Sequence, residues 1–187
     1  MAGYTEVRMD VMWSSLAWPG LEHVRWTEDD GLHADGLAVH ELPDGPARVA
    51  YRLTADDGGR TRHLSVEVGG RALVIAGDGR GAWTDGSGRP LPGLSGCVDV
   101  DISTTPLTNT LAIRRLGLAP GAAADLLVVY VDVPDLEPRA VTQRYTCLGR
   151  SGAVTVYRYE SGTFRADITV DDHGLVVDYP GLWRRSR

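Results

Sequence analysis

Thr105-Pro106-Leu107-Thr108-Asn109-Thr110-Leu111-Ala112-Ile113-Arg114-Arg115-Leu116, followed by Gly117, interrupts a chain that otherwise alternates like β-structure. Thr105 is a residue type that caps helix starts, and Pro106 suits the first helical position. Gly117 can supply the left-handed stop. At roughly 100° per residue, Leu107 and Leu111 fall on one side, and Ala112, Ile113 and Leu116 on the other. A helix that is apolar on both sides is enclosed rather than laid on a surface. The spacing therefore predicts one buried helix over 105–116. Arg114 and Arg115 flank the Leu107/Leu111 stripe, and guanidinium groups carried into an enclosed space need partners.

Partners stand just upstream, in Cys97-Val98-Asp99-Val100-Asp101-Ile102. In an extended strand Val98, Val100 and Ile102 make one face, and Cys97, Asp99 and Asp101 make the other, with ~7 Å between the two acidic positions. Asp99 and Asp101 are expected to face the helix and neutralise one or both arginines. Two readings of this cluster are compatible. It is an ion-pair network that fixes the helix, and its charges also line the polar end of a ligand cavity.

Around this centre the pattern has period two. Val49, Tyr51 and Leu53 oppose Arg48, Ala50 and Arg52, and Leu64, Val66 and Val68 oppose His63, Ser65 and Glu67. Further on, Val154 and Val156 alternate with Thr155, Tyr157 and Tyr159. Phe164, Ala166, Ile168 and Val170 oppose Arg165, Asp167 and Thr169. Each reads as a strand with one dry and one wetter face. Residues 126–133, apolar on both faces, read as a central strand covered on each side. Turn signals separate the strands: Pro43-Asp44-Gly45, Asp57-Gly58-Gly59, Gly69-Gly70, Gly77-Asp78-Gly79 and Asp85-Gly86. The expectation is one domain over 1–187, mainly β, with a large curved antiparallel sheet (a half-barrel or partly open barrel) wrapped around one buried helix.

Charge and motifs exclude several functions. A formal net charge of -6 and a pI near 5.3 argue against a nucleic-acid or anionic-membrane surface, which needs clustered positive charge. Every basic residue is Arg, so any buried cation is a planar fork suited to carboxylate, phosphate or sugar hydroxyls. Cys97 and Cys147 lie far apart without a CxxC pairing and read as small buried hydrophobes. There is no G-x-S-x-G elbow and no H-E-x-x-H, and the five histidines are scattered. Gly77-Asp78-Gly79-Arg80-Gly81 does not open a helix, so it is a hairpin turn and not a phosphate loop. No metal, cofactor or catalytic residue is therefore assigned. Without a signal peptide or an apolar run of about 18 residues, the expected location is cytoplasmic.

Several of these stretches together resemble the signature of a bacterial family described as "Putative glycolipid-binding". They are Gly96–Ile102, Thr105–Leu111, Ile113–Leu116, Gln143-Arg144-Tyr145-Thr146, Arg60-Thr61-Arg62, Leu21-Glu22, and the ending Asp171–Leu182. Gly59 stands where the family pattern places a Trp, and Leu107 where a Phe is common. The resemblance implies a half-barrel around a helix, similar to lipoprotein-carrier domains, and a lipid or glycolipid-like ligand.

The leading expectation is non-enzymatic binding of such an amphipathic molecule between curved sheet and helix. Its fatty part would lie against aliphatic side chains, and its polar head would meet Arg62, Asn109, Arg114, Arg115 or Gln143. Asp99 and Asp101 line the polar end. Tyr145 combines an apolar body with a hydroxyl tip, and Trp83 is either a core ring or one at the cavity rim. Two alternatives stay open: an enzyme acting on a sugar or lipid derivative through Asp99 or Asp101, and a ligand-free structural domain whose helix fills the half-barrel.

Overall fold

A computed structural model describes residues 7–42 and 45–186. The turn expected at Pro43-Asp44-Gly45 falls on residues 43 and 44, outside the described residues. The first seven strands are β1 (Val7–Ser15), β2 (Gly20–Glu28), β3 (Leu32–Leu42), β4 (Gly45–Ala55), β5 (Thr61–Val68), β6 (Arg71–Gly77) and β7 (Trp83–Asp85). A short 3-10 turn at Pro92–Leu94 precedes β8 (Asp99–Ile102) and helix α1 (Leu107–Leu116). Then come β9 (Ala123–Val131), β10 (Pro138–Ser151), β11 (Val154–Ser161), β12 (Phe164–Val170), β13 (Val176–Tyr179) and β14 (Trp183–Arg185). No helix among the described residues is long and apolar enough to cross a membrane.

Among the described residues all fourteen strands join one sheet, in the order β7-β6-β5-β4-β3-β2-β1-β14-β13-β12-β11-β10-β9-β8. The chain starts at the middle of the sheet, meanders to one edge, crosses to the other edge, and meanders back. Neighbours pair antiparallel except β8 and β9, which run parallel. Parallel neighbours cannot be joined by a hairpin, and α1 supplies the crossover. Glycine turns carry the meander: Gly69 and Gly70 both take positive φ in the two-residue β5–β6 connection.

The edges β7 and β8 are not paired to each other, so the sheet is curved but not closed. The segment before β8 ties the two ends together. Trp83 Nε1 donates to Cys97 O at 2.8 Å, Thr61 N to Val98 O at 3.2 Å, and Val98 N to Leu127 O at 3.4 Å.

Alternation became burial as expected in most strands. Val49, Tyr51, Leu53, Leu64, Val66 and Val68 are all buried. In β11 the tyrosines took the inner side: Tyr157 and Tyr159 are buried, while Val154 and Val156 are half-buried. Residues 126–133 are covered on both faces as expected, but their strand β9 is next to the edge rather than central. Cys97 and Cys147 are buried free thiols.

The helix lies inside the curve. Leu107, Leu111, Ala112 and Ile113 are buried, as are Thr108, Asn109 and Thr110. Thr105 Oγ1 accepts the Leu107 N–H at 3.0 Å, so it caps the helix one residue before Pro106. Gly117 ends the helix in the left-handed conformation, with its N–H on Ile113 O.

Candidate functional site

Both helix arginines are held by carboxylates. Arg115 clasps Asp99 with Nε 2.9 Å from Oδ1 and Nη2 2.5 Å from Oδ2. The hydrogen bonds it donates to Asp99 raise the Arg115 pKa further. Arg114 turns outward instead. It pairs with Glu28 of β2, and its guanidinium carbon lies 5.5 Å from the centre of the Trp26 ring. That contact holds the Glu28 carboxyl below the ordinary range.

Asp101 corrects the expectation that both acids serve the arginines. Its Oδ1 accepts from Thr108 Oγ1 at 2.8 Å, and its Oδ2 from Gln143 Nε2 at 2.6 Å, with the Tyr159 hydroxyl at 3.5 Å. The reason is direction. A short loop joins β8 to α1, so the strand residue nearer the loop meets the first helical turn. Asp99, one step further back, meets the last turn, ~10 Å along the axis at 1.5 Å per residue. Buried without a cation, the Asp101 carboxyl is pushed above the usual range, against the pull of its three donors.

Asp101 forms part of the wall of a cavity of about 380 Å³ at the start of α1. Ile102, Ser103, Thr105 and Asn109 line it from the strand–helix side. Tyr130, Arg139 and Val141 line it from β9 and β10, and Tyr159, Ser161, Phe164, Tyr179, Leu182 and Trp183 complete it. Five aromatic rings thus face three aliphatic side chains, where an aliphatic trough was expected. The rings support one another: Tyr159 lies 5.2 Å from Tyr145, 6.0 Å from Phe164 and 6.3 Å from Tyr179 between centres. The Arg139 guanidinium sits 4.5 Å above the Tyr130 ring. Burial raises the pKa of Tyr159 and Tyr179, so both hydroxyls stay protonated donors.

A polar layer stands behind this wall. Asn109 Nδ2 donates to the buried Tyr145 hydroxyl at 2.8 Å. Thr105 Oγ1 lies 3.3 Å from the Tyr51 hydroxyl, which donates to Glu22 Oε1 at 2.6 Å. Glu22 is fully buried, and burial lifts its pKa to about 7. His40 accepts from Trp18 Nε1 on Nδ1 at 2.9 Å, which leaves Nε2–H to donate to Thr104 O at 3.1 Å. Its pKa is lowered by burial. Sequence reading missed Glu22 and His40. The available signal was the period of β2, which puts Glu22 on the face of Val24 and Trp26.

The nine side chains read from sequence do not converge on one place. Asp101 and Asn109 line the cavity, and Gln143 and Tyr145 brace it from behind. Asp99, Arg114 and Arg115 belong to the far end of α1. Trp83 fastens the sheet's ends, and Arg62 lies on the outer surface, 3.7 Å from Asp56. A larger hollow of about 480 Å³ lies at that far end, edged by Leu111, Arg114, Arg115, Glu28, Asp56 and Asp57. Its guanidinium groups are already taken up in ion pairs. The aromatic cavity, where six polar or charged side chains meet eight aromatic or aliphatic ones, has the make-up of a site for a small amphipathic molecule.

The chain matches the model of a family described as "Putative glycolipid-binding" over residues 10–185. It is also similar to a crystal structure of a DUF1089 family protein from Pseudomonas aeruginosa. The two share 39% identity at a TM-score of 0.78, over 89% of this chain and 92% of that one. No curated protein matches.

Proposed function

This chain belongs to the "Putative glycolipid-binding" family, and from that premise we propose that it binds a lipid or glycolipid-like amphipathic molecule without transforming it. The site is the cavity between the curved sheet and the start of α1. One observation carries this reading: five aromatic rings and six polar side chains, Asp101, Asn109 and Arg139 with Ser103, Thr105 and Ser161, meet around a space of about 380 Å³. Apolar surface withdrawn from water supplies the attraction, at about 25 cal/mol per Å² before the costs of association. The polar groups orient the ligand, because a buried polar group left unpaired by the wrong ligand is penalised.

A second reading has one observation in its favour. Asp101 is a carboxyl with a raised pKa on a cavity wall, as a general acid requires. Cleavage of a glycosidic bond ordinarily uses two carboxyl groups flanking it. Asp101 is the one carboxyl on this wall among the described residues, and Asp99 is locked by Arg115. Binding is therefore the better-supported function.

The test is native mass spectrometry of protein purified without detergent and then exposed to a bacterial lipid extract. Val141→Trp, which fills the cavity from β10, is the control. A retained species on the wild type and none on a folded Val141→Trp is the expected result. Equal retention by both, or none by the wild type, would overturn the proposal.

A further inference from the structure

We infer that the cavity takes the polar head of its ligand, that this head is an uncharged sugar ring, and that the hydrocarbon stays outside. The inference rests on the binding reading above and narrows it to a substrate class.

Size comes first. At about 30 Å³ per water, a cavity of about 380 Å³ holds roughly a dozen waters. A hexose, with its twelve non-hydrogen atoms, fits that space. A full fatty chain together with a head group does not.

Wall chemistry points the same way. Pyranose rings present C–H faces that stack on aromatic rings and hydroxyls that point outward around the rim. Tyr159, Phe164 and Tyr179 stand at tilted or edge-on angles to one another around the cavity. Asp101 is fixed by Thr108 on Oδ1 and by Gln143, with the Tyr159 hydroxyl at 3.5 Å, on Oδ2. Oδ1 keeps a further lone pair, which can accept a ligand hydroxyl. Asn109 keeps a carbonyl oxygen and a second N–H after its bond to Tyr145.

The alternatives each meet an obstacle. A hydrocarbon chain in this space would cover Asp101 and Asn109 without pairing them. A phosphate or carboxylate head could pair with Arg139 only by bringing a second acidic group into the cavity whose wall carries the Asp101 carboxyl, which has no arginine of its own. An uncharged polyol satisfies the polar groups and adds no charge. Phe164, 42% exposed where β12 begins, offers an apolar exit for the chain.

The experiment is isothermal titration of wild type with octyl β-glucoside, octyl β-galactoside, octyl α-mannoside, octanol and octyl phosphate, all below their micellar concentrations. At least one octyl hexoside should bind tenfold or more tighter than octanol and octyl phosphate. Asp101→Asn should weaken that hexoside at least tenfold and leave octanol unchanged. Should Asp101→Asn fail to fold, Ser161→Val on the cavity wall should weaken the hexoside at least threefold. Octanol or octyl phosphate binding as tightly as every hexoside would overturn the sugar-head inference and leave the amphipath reading standing. No binding by any octyl compound would overturn both.

Discussion

Arg115 holds Asp99 through three hydrogen bonds, at 2.9, 3.1 and 2.5 Å, that tie the last turn of α1 to the edge strand β8. The Asp99 side chain is 1% exposed and that of Arg115 23%, so water does little to screen the pair. Removing the arginine leaves a buried carboxylate without a cation, which typically costs about 3–5 kcal/mol. Arg115→Met should therefore lower unfolding stability in urea by about that amount. Its neighbour in sequence is the internal control. Arg114 is 36% exposed and pairs at the surface, so Arg114→Met should cost about 1 kcal/mol or less, mostly through lost contact with Trp26. Equal effects at the two positions would contradict the geometry.

Glu22 should make stability depend on pH. Its carboxyl rises from 4.5 to about 7 on folding, because burial penalises the charged form. Between those values the folded state keeps a proton that the unfolded chain has lost. Stability therefore falls as the pH rises through this window and levels off above it. Glu22→Gln removes that dependence. The stability difference between Glu22→Gln and wild type should shift by roughly 3 kcal/mol in favour of the variant between pH 4.5 and pH 8. Taking the difference cancels groups common to both proteins, including His40, which acts with the opposite sign. A pH-independent difference, measured by chemical denaturation, would exclude a protonated Glu22.

Gly36 of β3 has no side chain because the Tyr51 ring occupies its place. A Cβ there would lie 2.0 Å from the ring carbon that carries the hydroxyl. Its backbone is extended, so the constraint is contact and not conformation. Gly36→Ala should displace Tyr51 from Glu22 and destabilise by about 1–3 kcal/mol. In Tyr51→Leu the same substitution should cost less than half as much, a non-additivity readable in a double-mutant cycle. Additive effects would mean that the ring moves away freely.

Much of this architecture was legible in the residues. Thr105, Pro106 and Gly117 mark the ends of α1 by local rules that tertiary context did not override. The two-sided burial of Leu107, Leu111, Ala112 and Ile113 followed from their angular spacing. The Asp99–Arg115 pair was legible too, since strand period and helix period together bring the two charges to one interface. What was not legible is what depends on direction and distance across the sheet. Alternation cannot say that β8 and α1 run so as to give Asp101 to Thr108, or that Gln143, 42 residues later, reaches the same carboxyl. Nor can it choose between the valines and tyrosines of β11, because both can be buried. Tyr159 turns inward, where its hydroxyl finds Asp101. Glu22 escaped because a lone acid in an alternating strand is ordinarily solvated, whereas here the exposed face of β2 carries Leu21.

Gln143 of β10 reaches past β9 to the Asp101 carboxyl of β8, and its loss should be felt most when Asp101 is ionised. The Nε2–H donates to Asp101 Oδ2 at 2.6 Å and favours the charged carboxylate, opposing the burial that raises its pKa. Gln143→Leu keeps the volume and removes the donor. The Asp101 carboxyl should then move further up, and the variant should lose about 1–3 kcal/mol where Asp101 is ionised, because leaving a buried charged acceptor short of a partner costs most there. As the pH falls and Asp101 takes up its proton, the penalty should shrink, because the neutral acid needs that donor less. Urea titrations of wild type and Gln143→Leu across the pH range in which both stay folded measure this directly. A penalty that grows on acidification would mean that Gln143 stabilises the neutral acid, accepting its proton instead of donating.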